Sequence, residues 1–317
     1  MNTRTLGSSE IEVGAIGLGC MGMSWAYGSA DEADALAVIH RSLEVGVTLL
    51  DTSDVYGPFE NEKLVGRALA DGRRDDAVVA TKCGLVVADK ATFDIRRDGS
   101  PEHVRAACDA SLERLGIDVI DLWYLHRVDE NVPVEESVGA MAEQVAAGKV
   151  RALGLSEVDV PTLERAMAVH PIAAVQSELS LWTRDPLAEV VPYCRDHHVA
   201  FVPFSPLGRG FLTGRIAADA SFDPSDFRGR NPRFSSEALS ANQAIADRVR
   251  AVADRVDAAP GQVALAWALA QGEHVIPIPG TKRLAYLEEN AGAADLVLSD
   301  VDLAELDELP AAVGARY

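Results

Sequence analysis

The chain alternates eight times between a short apolar run and an amphipathic stretch, and this alternation constrains its fold more than any other feature. Apolar and β-branched runs predict strands at 13–19, 47–52, 77–83, 119–126, 151–156, 173–178, 200–205 and 275–279. Helical periodicity predicts helices at about 31–45, 61–71, 101–115, 134–147, 160–169, 186–197 and 261–271, with a last one beginning near 283. Strands that are apolar on both faces are typical of parallel sheets covered by helices. Without a linker rich in Pro, Gly or Ser between two halves, eight such pairs predict a single (β/α)8 TIM-barrel domain over 1–317.

Three segments stand outside this repeat. The opening stretch, "RTLGSSEIEVGAI", predicts a small β-hairpin ahead of the first barrel strand. The segment 208–240 is rich in Gly, Arg, Phe, Pro and Ser and predicts a long loop after the seventh strand, followed by an inserted helix at about 241–257. Loops of this length are usually functional or disordered, so we expect 208–240 to help cover a bound ligand.

The charge of the chain limits its partners. There are 29 Lys and Arg against 49 Asp and Glu, a formal net charge of −20, while 48% of the residues are apolar and supply a large core. So acidic a surface repels phosphate backbones and anionic lipids, which argues against nucleic acid and membranes as partners. A site for a polyanionic cofactor therefore has to be a local basic pocket.

From the N-terminal stretch and the cysteines we expect a cytoplasmic protein without a metal site. The opening "MNTRTLGSSE" lacks the apolar region of a signal peptide, and no run of about 18 apolar residues is present. The four cysteines are scattered, with no C-x-x-C pair and no histidine at ligand spacing, so we expect reduced thiols. His197 and His198 end a predicted helix and are interpreted as partners of its C-terminal dipole.

One short motif suggests a different fold and is rejected. The stretch "GLGCMG" matches G-x-G-x-x-G, the phosphate turn of Rossmann domains. That turn requires a helix to begin at its third glycine and an acidic residue about 20 positions later. Here a loop follows Gly22, helical periodicity begins only near Asp31, and Asp51 lies too far along the chain.

Four polar residues follow three neighbouring predicted strands, where a TIM barrel carries its active site. Asp51 closes the second strand, Tyr56 follows it in the loop, Lys82 ends the third strand and His126 ends the fourth. Because a buried ammonium is costly unless it is paired, Asp51 is the expected partner of Lys82. The ammonium is expected to lower the pKa of the Tyr56 phenol. Tyr56 then protonates a carbonyl oxygen, while His126 orients that carbonyl or relays the proton.

Each of these residues also has a purely structural interpretation. Asp51 alone is compatible with capping a turn, Tyr56 with anchoring a loop, and His126 with a histidine satisfied inside the core. Lys82 is the hardest to explain structurally, because it ends a buried apolar strand.

At these residues the chain resembles the aldo-keto reductase superfamily. The resemblance rests on blocks in the family's order over nearly the whole length: "GLGCMGMS", "LLDTSDVYG", "ATKCG", "DLWYLHRVD", "GKVRALGLSE", "AVQSELSLWTR", "FVPFSPLGRGFLTG" and "IPIPGTKRLAYLEENAGA". It implies a barrel that binds NADPH across its C-terminal mouth and reduces aldehydes or ketones. It also implies the roles given above for the four polar residues.

The resemblance further implies the cofactor contacts. Ser156 and Gln176 would bind the nicotinamide carboxamide, Phe204 would stack on its ring, and Asp51 would lie beside it. The pyrophosphate would be contacted by Ser205, Leu207, Gly208, Arg209 and Gly210, and the 2′-phosphate by Gly280, Thr281 and Lys282. The adenine would be contacted by Glu289 and Asn290. The nicotinamide pocket would be lined by Gly19, Cys20 and Met21.

Two residues depart from the family pattern. Glu157 stands where many relatives have Asn, so a donor to the carboxamide is missing. Tyr286 stands where others place Arg or Gln near the adenosine phosphate, so a preference for NADPH rests on Lys282, helped by Arg283, and use of NADH stays open.

Two further functions remain open. Lys82 is a candidate for Schiff-base chemistry in a lyase or aldolase. A regulatory barrel that binds NADPH with little turnover is the other. Trp25, Tyr27 and Trp123 are candidates for an apolar substrate wall, or else packing residues. The sequence predicts neither the particular carbonyl substrate nor the oligomeric state.

Overall fold

A computed structural model describes residues 1–28, 30–70, 72–89, 94–223 and 226–316. The last position of the predicted helix 61–71 lies outside the described residues, as do two positions of the predicted loop 208–240, Pro224 and Ser225.

The strands form a barrel and two small hairpins. In chain order they are β1 (Thr3–Thr5), β2 (Glu12–Gly14), β3 (Leu18–Gly19), β4 (Leu49–Asp51), β5 (Val78–Cys83), β6 (Leu85–Asp89), β7 (Asp94–Arg97), β8 (Ile120–Leu125), β9 (Val150–Ser156), β10 (Ala174–Glu178) and β11 (Ala200–Phe204). Seven parallel strands lie side by side in the order β3, β4, β5, β8, β9, β10, β11.

The segment 275–280 closes the ring between β11 and β3. Isolated parallel bridges join Val275 to Phe201 and Gly280 to Gly19. The amides of Ile276 and Ile278 donate to β11, but the next residue in each case is a proline, without an N–H to donate to β3. The predicted eighth strand, 275–279, therefore occupies its place in the barrel without a continuous ladder.

Helices cover the outside of the barrel. They are α1 (Glu32–Glu44), α2 (Glu60–Leu69), α3 (Pro101–Leu115), α4 (Val134–Ala146), α5 (Val160–Met167), α6 (Val190–Asp196), α7 (Ser236–Arg255), α8 (Pro260–Leu269), α9 (Leu284–Gly292) and α10 (Asp300–Asp307). Local signals set several starts: the Ser100 hydroxyl accepts a hydrogen bond from the His103 amide, and Pro101 opens α3. The inserted helix is longer than predicted because Ser235 caps it several residues earlier.

Alternating side chains divide the core into two layers. Leu49, Leu122 and Tyr124 point into the barrel, where Leu6 and Val13 of the β1–β2 hairpin close its N-terminal end. Their neighbours along each strand pack against the helices in a second, larger cluster. This alternation places successive residues of every strand on opposite faces of the sheet.

The first strand and the loops differ from expectation. The predicted strand 13–19 divides into β2, which belongs to the N-terminal hairpin, and the two-residue β3. The β6–β7 hairpin and α10 were not predicted. The described part of the long loop has an irregular turn at Gly208–Thr213 and 3-10 turns at Phe227–Arg230 and Pro232–Phe234.

The long loop also crosses the mouth of the barrel to reach the loop after β3. Tyr27 and Asp226 form an antiparallel bridge, and the Phe227 amide donates to the Ala26 carbonyl at 2.9 Å. Two loops that are far apart in the chain are thereby joined above the strand ends.

Candidate active site

A fully buried lysine organises the mouth of the barrel. Lys82 lies in β5 beside β4, and its ammonium donates to Asp51 Oδ1 at 2.6 Å and to the Thr52 carbonyl at 2.8 Å. The same nitrogen lies 3.4 Å from the Tyr56 hydroxyl. Lys82 is 0% exposed, so these three oxygens take the place of its hydration shell.

The charge state of Lys82 follows from these partners. Burial by itself would lower the pKa of the ammonium, but the negative charge of Asp51 and the hydrogen bonds to Asp51 and Tyr56 outweigh burial and raise it. Lys82 is therefore held as a cation that points at the Tyr56 oxygen.

The phenol of Tyr56 behaves differently from the expectation. Burial raises its pKa and Asp51 adds to the rise, while the nearby Lys82 charge offsets only part of both. The prediction of a lowered phenol pKa is wrong because sequence alone does not reveal how completely the ring is buried, at 9% exposure. The consequence is chemically simple: Tyr56 carries its proton at neutral pH and is available as a donor.

His126 lies beside Tyr56 as a neutral imidazole. The two rings meet edge to face, with centroids 5.9 Å apart. Burial lowers the pKa of His126 well below its usual value, and the positive charges of Lys82 and Arg127 lower it further. Four predicted residues, from β4, its loop, β5 and the end of β8, are thus brought together.

Behind His126 the structure adds two residues that sequence reasoning missed. The Ser53 oxygen lies 3.1 Å from His126 Nδ1, and its hydroxyl is also within 3.1 Å of Asp54 Oδ1. Burial raises the pKa of Asp54 to about 7, and the negative charge of Glu62 contributes. The signal was present in "LLDTSDVYG", where polar residues continue past the strand end.

The second oxygen of Asp51 is held from the other side of the mouth. Gln176, in β10, donates its amide to Asp51 Oδ2 at 2.7 Å. Ser156, at the end of β9, accepts a hydrogen bond at 3.0 Å from Arg127, another residue that the sequence reasoning missed. Gln176 is therefore joined to the lysine–tyrosine pair through Asp51, while Ser156 is held by Arg127.

A strained turn follows β11. Phe204 packs on the barrel interior, Leu207 packs against the outer core, and left-handed backbone conformations occur at Ser205, Gly208, Arg209 and Gly210. Arg209 is buried and forms an ion pair with Glu178 at 3.0 Å. This turn aligns the predicted pyrophosphate residues next to the strand ends, with part of the Arg209 charge already used within the protein.

Two cations follow the closing segment, and a third, Arg215, reaches the same region from the long loop. Gly280 lies so close to Gly19 that a Cβ there would be 3.1 Å from the Gly19 carbonyl oxygen. Lys282 precedes α9 and donates to the Tyr27 carbonyl at 2.9 Å. The guanidinium groups of Arg215 and Arg283 lie 4.3 and 5.4 Å from the centroid of the Tyr286 ring.

The remaining predicted cofactor residues lie at the same end of the barrel. Glu289 pairs with Arg215 at 2.6 Å, and Asn290 is buried in α9. Cys20 is fully buried, and Met21 opens a 3-10 turn after β3. Asn61, which the sequence reasoning missed, fixes that turn by donating to the Cys20 carbonyl at 2.9 Å.

The three candidate substrate residues do not lie in one place. The Trp25 ring lies 6.2 Å from the Tyr56 ring, and Tyr27 lies in the loop that the long loop meets. Trp123 is fully buried in the core between strands and helices. The structure thus brings Trp25 and Tyr27 to the mouth, but not Trp123.

Two kinds of feature are absent from the described part of the chain. It contains no group of three or more His, Cys, Asp and Glu side chains arranged to hold a metal ion. No helix within the described ranges has the length and apolar character needed to cross a bilayer.

Comparisons with known proteins agree with this geometry. The model of the aldo/keto reductase family matches residues 15–311. A probable aldo-keto reductase of Glycine max is 45% identical over 316 residues, which cover 98% of this chain and 90% of that protein. A solved glycerol dehydrogenase of Gluconobacter oxydans has a TM-score of 0.89 at 29% identity, covering 96% of this chain and 94% of its own. An aldo-keto reductase of Bacillus halodurans, solved in its holo form, has a TM-score of 0.79 at 26% identity, covering 100% and 98%.

Proposed function

Because the chain belongs to the aldo/keto reductase family, we propose that it is an NADPH-dependent reductase that converts aldehydes or ketones into alcohols, with Tyr56 as the general acid. The observation that carries this proposal is the chain of contacts from Asp51 through the Lys82 ammonium to the Tyr56 oxygen. A buried, charged lysine that approaches a protonated phenol is a proton-donating device at the place where a TIM barrel performs its chemistry.

The residues present fit a phosphate-bearing dinucleotide. In a chain with a net charge of −20, four cations gather here: Arg209 and Arg215 from the loop after β11, and Lys282 and Arg283 after the closing segment. Lys282 has a lowered pKa because it is partly buried and lies near other cations. A phosphate dianion would relieve the repulsion of Lys282 by Arg228 and Arg283, which supports this rim as the local basic pocket that such a cofactor requires.

Each catalytic residue has a definite task in this proposal. When bound, NADPH supplies the hydride to the carbonyl carbon. Tyr56 donates its proton to the carbonyl oxygen, and the Lys82 ammonium stabilises the phenolate that this transfer leaves. Asp51 holds Lys82 charged and oriented, while Gln176 holds Asp51. His126, being neutral, directs one ring nitrogen toward the carbonyl and hydrogen-bonds to Ser53 through the other.

The Schiff-base alternative has little support from the same contacts. A lysine that attacks a carbonyl must first lose its proton. Lys82 instead has a raised pKa and donates to three oxygens. Its ammonium is consequently suited to electrostatic stabilisation rather than to nucleophilic attack.

The direct test is the loss of absorbance at 340 nm when the purified protein, NADPH and a panel of aldehydes, ketones and quinones are mixed. Oxidation of glycerol and other polyols with NADP belongs in the panel, since a structural neighbour is a glycerol dehydrogenase. Turnover of any carbonyl supports the proposal. Tight NADPH binding without turnover across the panel would favour a redox-sensing barrel, and inactivation by borohydride in the presence of substrate would favour a lyase.

A further inference from the structure

The residue that departs from the family pattern beside the cofactor site has an unusual partner. Glu157 follows Ser156 directly and adopts a left-handed backbone conformation, with φ of 55°. Its Oε1 accepts a hydrogen bond from the Glu178 amide at 2.9 Å, and its Oε2 contacts the guanidinium of Arg316. The last described residue of the chain therefore reaches the end of β9.

The C-terminal tail, defined as residues 310–316, is held in place by buried asparagines. Asn242, in α7, is 1% exposed, and it both accepts a hydrogen bond from the Val313 amide at 2.8 Å and donates to the Val313 carbonyl at 3.0 Å. Asn231 is also buried and donates to the Arg316 carbonyl at 2.8 Å. Since buried amides need partners, both side chains depend on the tail.

A second carboxylate connects the tail with the cofactor turn. Glu178 is 1% exposed and has guanidinium nitrogens of three arginines around it: Arg209 at 3.0 Å, and Arg233 and Arg316 both at 3.7 Å. The two carboxylates of this cluster are therefore shared among arginines from the loop after β11 and from the tail. A buried carboxylate is tolerable only with such partners.

The cluster of Glu157, Glu178 and their arginines lies next to the proposed contacts of the nicotinamide. Ser156 and Glu157 are adjacent in the chain, and Glu178 ends the strand that also carries Gln176. If the Glu157 carboxylate loses its cation, it must find another partner or move toward water, and the left-handed turn next to Ser156 moves with it. Arg209 and Arg233 would at the same time be the two cations left beside Glu178, so Arg209 would be drawn more strongly toward that carboxylate.

We propose that the C-terminal tail is part of the cofactor site and that Arg316 is a positioning residue, which acts through Glu157 and Glu178 to hold Ser156 and Arg209 for the nicotinamide and pyrophosphate. This inference rests on the proposed NADPH-dependent function. Arg316 itself transfers no proton and contacts no reacting atom.

Arg316→Gln tests the proposal. We expect the dissociation constant for NADPH, measured by quenching of protein fluorescence, to rise by about tenfold, because a largely buried carboxylate loses its cation. The KM for NADPH should rise in parallel, with a smaller change in kcat. Arg316→Lys should recover part of the loss because it restores the charge but not the planar guanidinium.

The double variant Glu157→Gln/Arg316→Gln separates positioning from simple damage. Removing both charges leaves no buried carboxylate without a cation, so we expect it to bind NADPH better than Arg316→Gln alone. Arg105→Gln is the matched control, since Arg105 forms an exposed bidentate pair with Glu143 on the outer helices and should leave NADPH binding unchanged.

The outcomes are distinguishable from failure of the proposed function. If the unaltered protein neither binds NADPH nor reduces carbonyls, the proposed function fails and the inference, which rests on it, is overturned with it. If the unaltered protein is active and Arg316→Gln matches Arg105→Gln in NADPH affinity, the inference is overturned. It is also overturned if Arg316→Gln lowers the melting temperature while the folded fraction binds NADPH normally.

Discussion

The two sides of the barrel mouth, termed the catalytic side and the cofactor side after their proposed roles, hold their charges in different ways. On the catalytic side, at the ends of β4, β5 and β8, one cation serves one carboxylate: Lys82 and Asp51 are both buried and lie 2.6 Å apart. On the cofactor side, at the ends of β9, β10 and β11, two carboxylates share three arginines that come from the long loop and the tail. The first arrangement is local to neighbouring strands, while the second joins distant parts of the chain.

This difference predicts how strongly each side responds when one ion-pair partner is removed. A buried pair with a single cation leaves an uncompensated charge when either partner is removed. A shared cluster keeps some compensation after one arginine is lost. We therefore expect the catalytic side to respond to substitution in large steps, and the cofactor side in smaller ones.

Tyr56→Phe should have the largest effect, on the catalytic side. Without the hydroxyl no proton donor adjoins Lys82, so carbonyl reduction should fall by about a thousandfold or more. NADPH affinity should stay within about twofold, because the phenol is not among the proposed cofactor contacts. Steady-state reduction at 340 nm and fluorescence titration measure the two quantities.

The control for this variant is Tyr193→Phe. Tyr193 lies in α6, and its ring stacks on that of His197. The control variant should retain full activity. Undiminished turnover of Tyr56→Phe would remove Tyr56 from the acid role and leave the catalytic side without its donor.

Lys82→Met tests the single-cation arrangement through stability. Asp51 would stay buried with Gln176 as its remaining side-chain partner, so the free energy of unfolding should fall by about 3–5 kcal/mol. Arg209→Gln, on the cofactor side, should cost less than about 2 kcal/mol because Glu178 keeps Thr183, Arg233 and Arg316 as neighbours. Urea unfolding of both variants measures the difference, and equal losses would contradict the comparison.

The catalytic side was the more predictable because strand register determines it. Asp51, Lys82 and His126 end successive parallel strands, and side chains at such positions must meet at one end of a barrel. The β1–β2 hairpin and the barrel itself were also predicted, because their periodicity is local. The closing segment lost its ladder through Pro277 and Pro279, which are visible in the sequence.

The cofactor side was less predictable because its contacts are long-range. Nothing in the sequence near Glu157 indicates that Arg316 pairs with it, since the two residues are 159 positions apart. The direction of the Tyr56 pKa shift was predicted wrongly for a related reason: burial depends on the whole assembled mouth. Sequence reasoning predicted which side chains come together where neighbours along the strands determine the environment.

Asp54→Asn tests how the catalytic side holds a second buried carboxyl, that of Asp54, which among the described residues is not in an ion pair as Asp51 is. The pKa of Asp54 is raised from 3.8 to about 7, so the folded protein binds a proton that the unfolded chain releases between these values. The contribution of this bound proton to the free energy of unfolding is complete below about pH 4 and is lost as the pH rises through 7. The free energy of unfolding of the asparagine variant should not show this decline. At pH 8 it should therefore exceed that of the unaltered protein by on the order of 2–4 kcal/mol.

Urea unfolding between pH 4 and pH 8 measures this effect. Glu62→Gln, which removes the neighbouring charge that raises the Asp54 pKa, should shift the decline to a lower pH. A profile of Asp54→Asn with the same slope as the unaltered protein would show that another group titrates in this range.

Lys282→Ala should have the smallest effect, and it tests whether the cofactor side distinguishes coenzymes. Lys282 is partly buried and donates to the Tyr27 carbonyl, so it stabilises the crossing of the long loop and also lies at the proposed 2′-phosphate site. If both tasks depend on it, NADPH should bind about tenfold more weakly, because a charge-assisted hydrogen bond is lost. NADH should weaken only about twofold, through the loosened loop. Titration with both coenzymes separates the phosphate contact from the loop contact, and equal losses would place the 2′-phosphate elsewhere on the rim.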